Sequence, residues 1–309
     1  MSRPRQARTA RWGFALLTVL WVLSGMMVLG VLLNRTTSEA IGTTGNRVDA
    51  LRAGWANEGC LARAQASIDE ALRDARDAEE IWGTMDRWTL ADTRLHGCEL
   101  EFVPAGVTLD VNAVSHDRLS LLFLAVGMRF EQADSLASAI DDWRDDDDEV
   151  QRDGAEQSWY RGLGRHGPRN APFAAREELR LVRGLERSSE IDALIDVEQG
   201  RVLLTRAPAA VLATLPGFGD EAVSRVLELR AAGPINLLQF AASLSPAARA
   251  QLNSHFLELL AVATASPDAW IVTSRAQRPT TGGRASIEIR LLRSGRRAAI
   301  MRHRSNPWS

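Results

Sequence analysis

Residues 14–33 carry no charged side chain, and this one stretch decides where the remainder of the chain can reside. A helix of that length rises about 30 Å, enough for the hydrocarbon core of a bilayer. Twelve of the twenty residues are Leu, Val or Phe. Their transfer favours insertion by about 4–7 kcal/mol, from which Thr18, Ser24 and two glycines subtract part. Arg3, Arg5, Arg8 and Arg11 precede the stretch without any acidic residue. That excess keeps the near side cytoplasmic, so a single-pass anchor with an exported bulk is expected. A secretory signal peptide would have a shorter apolar stretch and a small-residue cleavage site. Asn34-Arg35-Thr36 offers no such site.

The chain has 309 residues and is 45% hydrophobic, so it can build a core of one large domain or two to three ordinary ones. A net charge of -2 gives no chain-wide basis for binding nucleic acid or a membrane surface. All 37 basic residues are Arg. Without lysine, Schiff-base chemistry and a Walker A phosphate loop are excluded. Two cysteines, Cys60 and Cys98, cannot complete a Cys-based zinc site by themselves. His96, His116, His166, His255 and His303 are scattered, and no serine lies in a G-x-S-x-G elbow. No catalytic constellation emerges, and a non-enzymatic protein is expected. Trp55, Trp82, Trp88 and Trp143 read as core or interface residues.

From residue 38 to about 76 the pattern is helical, with Val48, Leu51, Trp55, Leu61, Ile68 and Leu72 at helical spacing. Gly42 and Gly45 are expected to loosen its start. Cys98, Leu100 and Phe102 alternate with Glu99 and Glu101, and Ile287, Ile289 and Leu291 alternate with Glu288 and Arg290. Both runs read as half-buried strands, with Trp270, Val272 and residues 298–301 as weaker candidates. Residues 113–260 are mainly helical. Neither strand group makes a stable sheet alone. Pairing them turns the helical block into an insertion within one mixed α and β domain, packed on the long N-terminal helix. Cys60 and Cys98 can then meet in the helix–sheet core. A disulfide is expected in an oxidising compartment, worth about 3–4 kcal/mol, with two buried free thiols as the alternative.

Residues 141–149 hold six Asp and one Glu against one Arg, a local net of -6. Charges this dense repel unless water or a cation separates them. Calcium, which takes six to eight oxygen ligands, suits such a loop. Asp145, Asp147, Glu149 and Glu156 fall at positions 1, 3, 5 and 12 of an EF-hand, but Val150 occupies its glycine position. An EF-hand is therefore not expected, and a solvated acidic loop with Asp142 capping a helix is the alternative. Leu215-Pro216-Gly217-Phe218-Gly219 followed by Asp220-Glu221 looks like a helix–hairpin–helix. Its DNA-binding versions hold a phosphate on backbone N–H groups. Residues 215–230 carry a net of -1, so a packing role is preferred to nucleic-acid binding. The region 275–304, with nine Arg and one Glu, reads as solvated strand faces.

Gly13-Phe14, between the basic leader and the apolar run, resembles a type IV prepilin signal. The resemblance implies cleavage after Gly13 by prepilin peptidase and N-methylation of Phe14. Thr18 stands where pilins and major pseudopilins carry Glu, a departure that suits a subunit with no neighbour above it. Further on come Asp142-Trp143 with its acidic run, Gly154-Ala155-Glu156, Tyr160, Arg169-Asn170-Ala171-Pro172-Phe173, Glu178-Leu179 with Val182 and Gly184, and Leu215-Pro216-Gly217. In this order they resemble the K-type minor pseudopilin of type II secretion (general secretion pathway protein K). Leu204-Thr205-Arg206, where that family tends to show N-T-A, and the longer acidic run depart from it.

The resemblance implies an α+β pseudopilin fold: a long transmembrane and amphipathic helix on a small antiparallel sheet. A large all-α domain with helix–hairpin–helix-like elements is inserted in it. The expected organisation is a leader at 1–13, a transmembrane helix at 14–33, pseudopilin domain at 34–106 and 261–309, and the insertion at 107–260. The implied role is to cap the periplasmic pseudopilus with I- and J-type minor pseudopilins, above the major pseudopilin filament. The chain would be held in the inner membrane. The implied calcium ligands are Asp142, Asp145, Asp147 and Glu156. An anchored periplasmic nucleic-acid-binding protein using the helix–hairpin–helix is the alternative.

Overall fold

The computed structural model describes residues 10–74, 93–95, 98–186, 189–233, 235–277, 284–294 and 297–306. Arg3, Arg5, Arg8, Trp82, Trp88 and His96 lie outside the described residues. The first element, α1 (Ala10–Asp74), is a single helix of 65 residues. It runs through Gly42 and Gly45, contrary to the expected loosening. Each glycine costs about 1 kcal/mol, which a long helix with propagating hydrogen bonds absorbs. Leu16–Arg35 forms a span with a mean hydropathy of 2.4, and none of it is buried. By length and composition it can cross a membrane.

The chain divides into two units, Met1–Gly59 with Arg275–Ile287 and Ser305–Ser309, and Cys60–Ser274 with Glu288–Arg304. In the first, Leu51 and Trp55 of α1 are 63% and 75% exposed, while Asp49, Ala53 and Asn57 are buried. In the second, Cys60, Leu61, Ala64 and Ile68 are buried. The two apolar sets at helical spacing therefore differ in burial. At 3.6 residues per turn, seven residues return almost to the same face. Val48 and Trp55 share one face and Leu61 and Ile68 another. The six-residue step from Trp55 to Leu61 displaces the two sets by roughly a third of a turn.

A five-stranded sheet joins β1 (Thr93–Leu95) and β2 (Cys98–Pro104) to three strands from the other end of the chain: β7 (Ala269–Gln277), β8 (Arg284–Ser294) and β9 (Arg297–Asn306). Its order is β1-β2-β7-β8-β9. The first two strands pair antiparallel, with Leu95 opposite Cys98. Leu100, Phe102, Trp270, Val272, Ile289 and Leu291 are buried, as the alternation requires. The Gln65 amide donates to the Ala298 carbonyl at 3.0 Å, and the Ala298 N–H donates to Asp69 at 2.8 Å. These bonds tie the lower part of α1 to β9. Cys60 is disulfide-bonded, and the one other cysteine of the chain is Cys98.

Strands β2 and β7 are neighbours, so everything between them is an insertion. Two short parallel pairs organise it: β3 (Leu109–Asp110) with β4 (Ile195–Asp196), and β5 (Val202–Leu203) with β6 (Ala263–Thr264). A Cβ on Gly106 would lie 2.1 Å from the Arg201 carbonyl oxygen, and its φ is +87°, so only glycine fits there. The helices are α2 (His116–Ala125), α3 (Phe130–Arg144), α4 (Gln157–Gly162), α5 (Ser189–Asp192), α6 (Ala209–Leu212), α7 (Asp220–Ala232), α8 (Leu237–Ser243), α9 (Pro246–Ser254) and α10 (Phe256–Val262). A 3₁₀ helix covers Arg176–Leu181. Leu119, Leu122 and Phe123 of α2 and Ala133, Ala137 and Ile140 of α3 are buried at the heart of this body.

The hairpin between α6 and α7 is closed by packing. A Cβ on Gly217 would meet the Gln251 carbonyl oxygen at 3.0 Å and the Leu252 Cα at 3.1 Å. The Cα side of Gly217 thus packs on α9, in keeping with a packing role for the hairpin, and the nucleic-acid alternative finds no support.

Candidate metal centre

The last turn of α3 places Asp141 and Asp142 at the end of a helix where the macrodipole is already negative, with four more Asp and a Glu following. Positive charge is needed here, and Asp141 has it. Arg144 donates to Asp141 at 2.6 Å and to the carbonyls of Val111 and Val114. His116 Nδ1 lies 2.8 Å from the other Asp141 oxygen, and its Nε2 lies 3.0 Å from Asp134. Burial opposes the imidazolium, but the bonds to Asp134 and Asp141 outweigh it and raise the His116 pKa.

Asp142 lacks such a partner. It is wholly buried. One oxygen accepts from the Gln151 N–H at 3.1 Å, while Oδ2 has no hydrogen-bond partner. Asp145 Oδ2 accepts from the Gln151 side chain at 3.4 Å, and its Oδ1 has none. Glu156 caps α4 through Oε2, which accepts the Gln157 N–H at 3.2 Å. Its Oε1 is buried without a partner. Each of the three residues offers a carboxylate oxygen, and these oxygens lie within 4.8 Å of one another. Burial raises the pKa of all three, that of Glu156 to about 7, against hydrogen bonds from Gln151 and Ala155 to Asp142, Gln151 to Asp145 and Gln157 to Glu156; neighbouring carboxylates add to the rise.

Three neighbouring carboxylates, each with one buried oxygen lacking a partner, fit a hard divalent cation. Oxygen-only ligation suits calcium or magnesium and not a metal that prefers imidazole or thiolate. A buried carboxylate left unpaired is otherwise costly, and protonation is the remaining way to neutralise it. Of the four expected ligands, the fold brings together Asp142, Asp145 and Glu156. Asp147 is exposed and accepts the Glu149 N–H at 2.8 Å, outside the group. Glu149 is also exposed, so the EF-hand spacing has no structural counterpart. Asp142 lies inside α3 and caps no helix.

The motifs that surround the acidic run in the sequence surround it in space. Trp143 stacks on Phe173 with ring centroids 6.2 Å apart and meets Tyr160 edge-on at 5.4 Å. The Asn112 side chain holds the Phe173 backbone from both sides, at 2.8 and 3.0 Å. Asn170 donates to the Asp147 carbonyl at 2.5 Å and to Asp148 at 2.9 Å. A Cβ on Gly154 would fall 2.0 Å from Asp142 Oδ2, so any other residue here must displace that carboxylate. Asn112, Gln151 and Arg183 are contributors that sequence reasoning did not single out. Gly13 and Phe14 fall within α1.

Residues 103–191 match the family model described as Type II secretion system (T2SS), protein K. All three carboxylates lie within that stretch. Among solved structures, the chain is similar to one chain of the crystal structure of the GspK-GspI-GspJ complex from the enterotoxigenic Escherichia coli Type 2 Secretion System. The two share 15% identity with a TM-score of 0.62, over 82% of this chain and 96% of that one. At that identity the likeness establishes the fold. No curated protein sequence matches the chain.

Proposed function

We infer that the chain is a K-type minor pseudopilin of the type II secretion system, a structural component of the secretion machinery. The observation that carries this reading is the family match over 103–191, whose span contains the entire carboxylate centre. The apolar segment of α1 anchors the chain in the inner membrane, with the leader cytoplasmic and the bulk periplasmic. Prepilin peptidase cuts after Gly13. Thr18 offers no carboxylate to a neighbouring subunit's amine, which suits the uppermost position of a filament. The exposed apolar seam of α1, with Ile41, Leu51 and Trp55, packs against neighbouring helices. The insertion adds bulk at the tip. I- and J-type minor pseudopilins complete the cap over the major pseudopilin filament. The test is co-purification of the full chain, in detergent, with the I- and J-type proteins of its own system. One copy of each in a single species is expected; three separate species at micromolar concentration would sink the tip assignment.

Calcium is the cation that best suits the centre. Asp142, Asp145 and Glu156 would hold it, with Asp147 two residues beyond Asp145 on the exposed loop. The ion supplies the positive charge that the cluster lacks. The residues' part is to order the loop between α3 and α4 around it. Melting of the full chain should rise in calcium relative to EGTA, by the equivalent of about 2.7 kcal/mol at a hundredfold excess over Kd. Magnesium is the control.

A further inference from the structure

We propose that Arg183 is the positioning residue of this centre, fixing the Asp153–Gly154 turn and thereby setting Glu156 against Asp142 and Asp145. The inference rests on the calcium reading and concerns the geometry that makes it workable. Glu156 belongs to a different segment from the other two carboxylates. It reaches them only if the turn before it holds one conformation. That turn has Asp153 at φ +58°, in the left-handed region, which Asp enters more readily than most residues but still at a cost. Contacts from outside the turn favour that conformation.

Arg183 does so from outside the loop. Its Nη1 donates to the Gly154 carbonyl at 2.9 Å, and its Nη2 donates to the Asp153 carbonyl and to the Ser135 hydroxyl. Ser135 donates to the same Asp153 carbonyl at 2.8 Å. On the far side of Glu156, the guanidinium lies over the Trp159 ring, 5.6 Å from its centroid. The Arg183 backbone N–H donates to the Tyr160 hydroxyl at 3.0 Å. The arginine therefore grips both flanks of Glu156: the turn that precedes it and the helix that it caps. A guanidinium holds its donors in a fixed plane whose face can lie over a ring, a geometry that the flexible point charge of an ammonium does not fix.

Charge alone predicts the opposite result. A guanidinium beside the cluster opposes a second cation, so its removal should tighten calcium binding if electrostatics were its only effect. If Arg183 positions the turn, its removal should weaken binding. The experiment measures calcium dissociation constants by titration calorimetry on the full chain in detergent. Arg183→Gln and Arg183→Lys are both expected to weaken binding about 10–100-fold, as loss of outer support does at metal sites. Ser135→Ala should weaken it a few-fold. Arg165→Gln removes contacts with Glu186, the Leu181 carbonyl and the Tyr160 ring but none with the Asp153–Gly154 turn. It should bind calcium like the wild type, separating positioning from general destabilisation. Should Arg183→Gln bind calcium as tightly as the wild type, or more tightly, Arg183 is not a positioning residue. If that variant does not fold, unchanged affinity in both Arg183→Lys and Ser135→Ala overturns the proposal equally. Absence of any calcium heat in the wild type would overturn the site itself and this inference with it.

Discussion

At the scale of single residues, the centre is defined by what three carboxylates lack. Asp142, Asp145 and Glu156 each keep one buried oxygen without a partner, whereas Asp141, one position away, is satisfied by Arg144 and His116. Gly154 shows how closely the site is built. Gly154→Ala would place a methyl against Asp142 Oδ2. It should lower stability in EGTA by roughly 1–3 kcal/mol and abolish the rise in melting temperature with calcium, both read by thermal unfolding. Glu156 supplies a pH dependence. Its folded pKa of about 7 lies above the ordinary 4.5. Between those values the folded chain keeps a proton that the unfolded chain has released, so stability in chelator falls as pH rises through that window. With calcium bound, the carboxylates are held ionised and the fall should flatten or reverse. Melting curves at about pH 5 and pH 7.5, with calcium and with EGTA, measure the crossed slopes.

At the scale of elements, α1 shows two apolar faces with different fates. Leu61 and Ile68 are buried within the chain, and Leu51 and Trp55 are exposed. A Leu51→Glu, Trp55→Ser double variant should therefore change the melting of the isolated chain by little, about 0.5 kcal/mol or less per site. Its co-purification with the I- and J-type partners should drop sharply. Ile68→Asp, which buries an unpaired charge, should unfold the chain or lower its melting strongly. If the first variant assembles as well as the wild type, the exposed seam is not the assembly surface. The insertion has its own logic at this scale. Two parallel strand pairs, only two residues long on each side, staple its base, and Gly106 admits the Arg201 carbonyl where any side chain would collide.

At the scale of the whole molecule, the proposed role in assembly makes processing of the leader the step to test. A mature chain beginning at Phe14, carrying an N-methyl group, is expected in the mass spectrum of the membrane-associated protein. Gly13→Leu should retain the leader, because a peptidase pocket that accepts glycine has no room for a side chain. Equal masses with and without the peptidase would leave a plain anchor. How much of all this the sequence by itself determined follows from distance along the chain. The candidate membrane span is a one-dimensional property, twenty uncharged and mostly apolar residues in a row. Strand alternation at residues 98–102 and 287–291 is equally local, and the small size of each strand group made their pairing the economical solution. The acidic run at 141–149 is conspicuous in the sequence, but Asp142 and Glu156 entered the expected ligand set through the family resemblance. Tertiary structure decided the rest. Composition and spacing rank Asp147 beside Asp145, yet the loop leaves it exposed and bonded to the Glu149 backbone. Val48, Leu51 and Trp55, then Leu61 and Ile68, recur at helical spacing, yet the register turns the two sets apart. Arg183 is one of 37 arginines and bonds a carbonyl 29 residues away. Only the folded chain brings its guanidinium to the turn, because packing and not sequence proximity sets which polar groups meet.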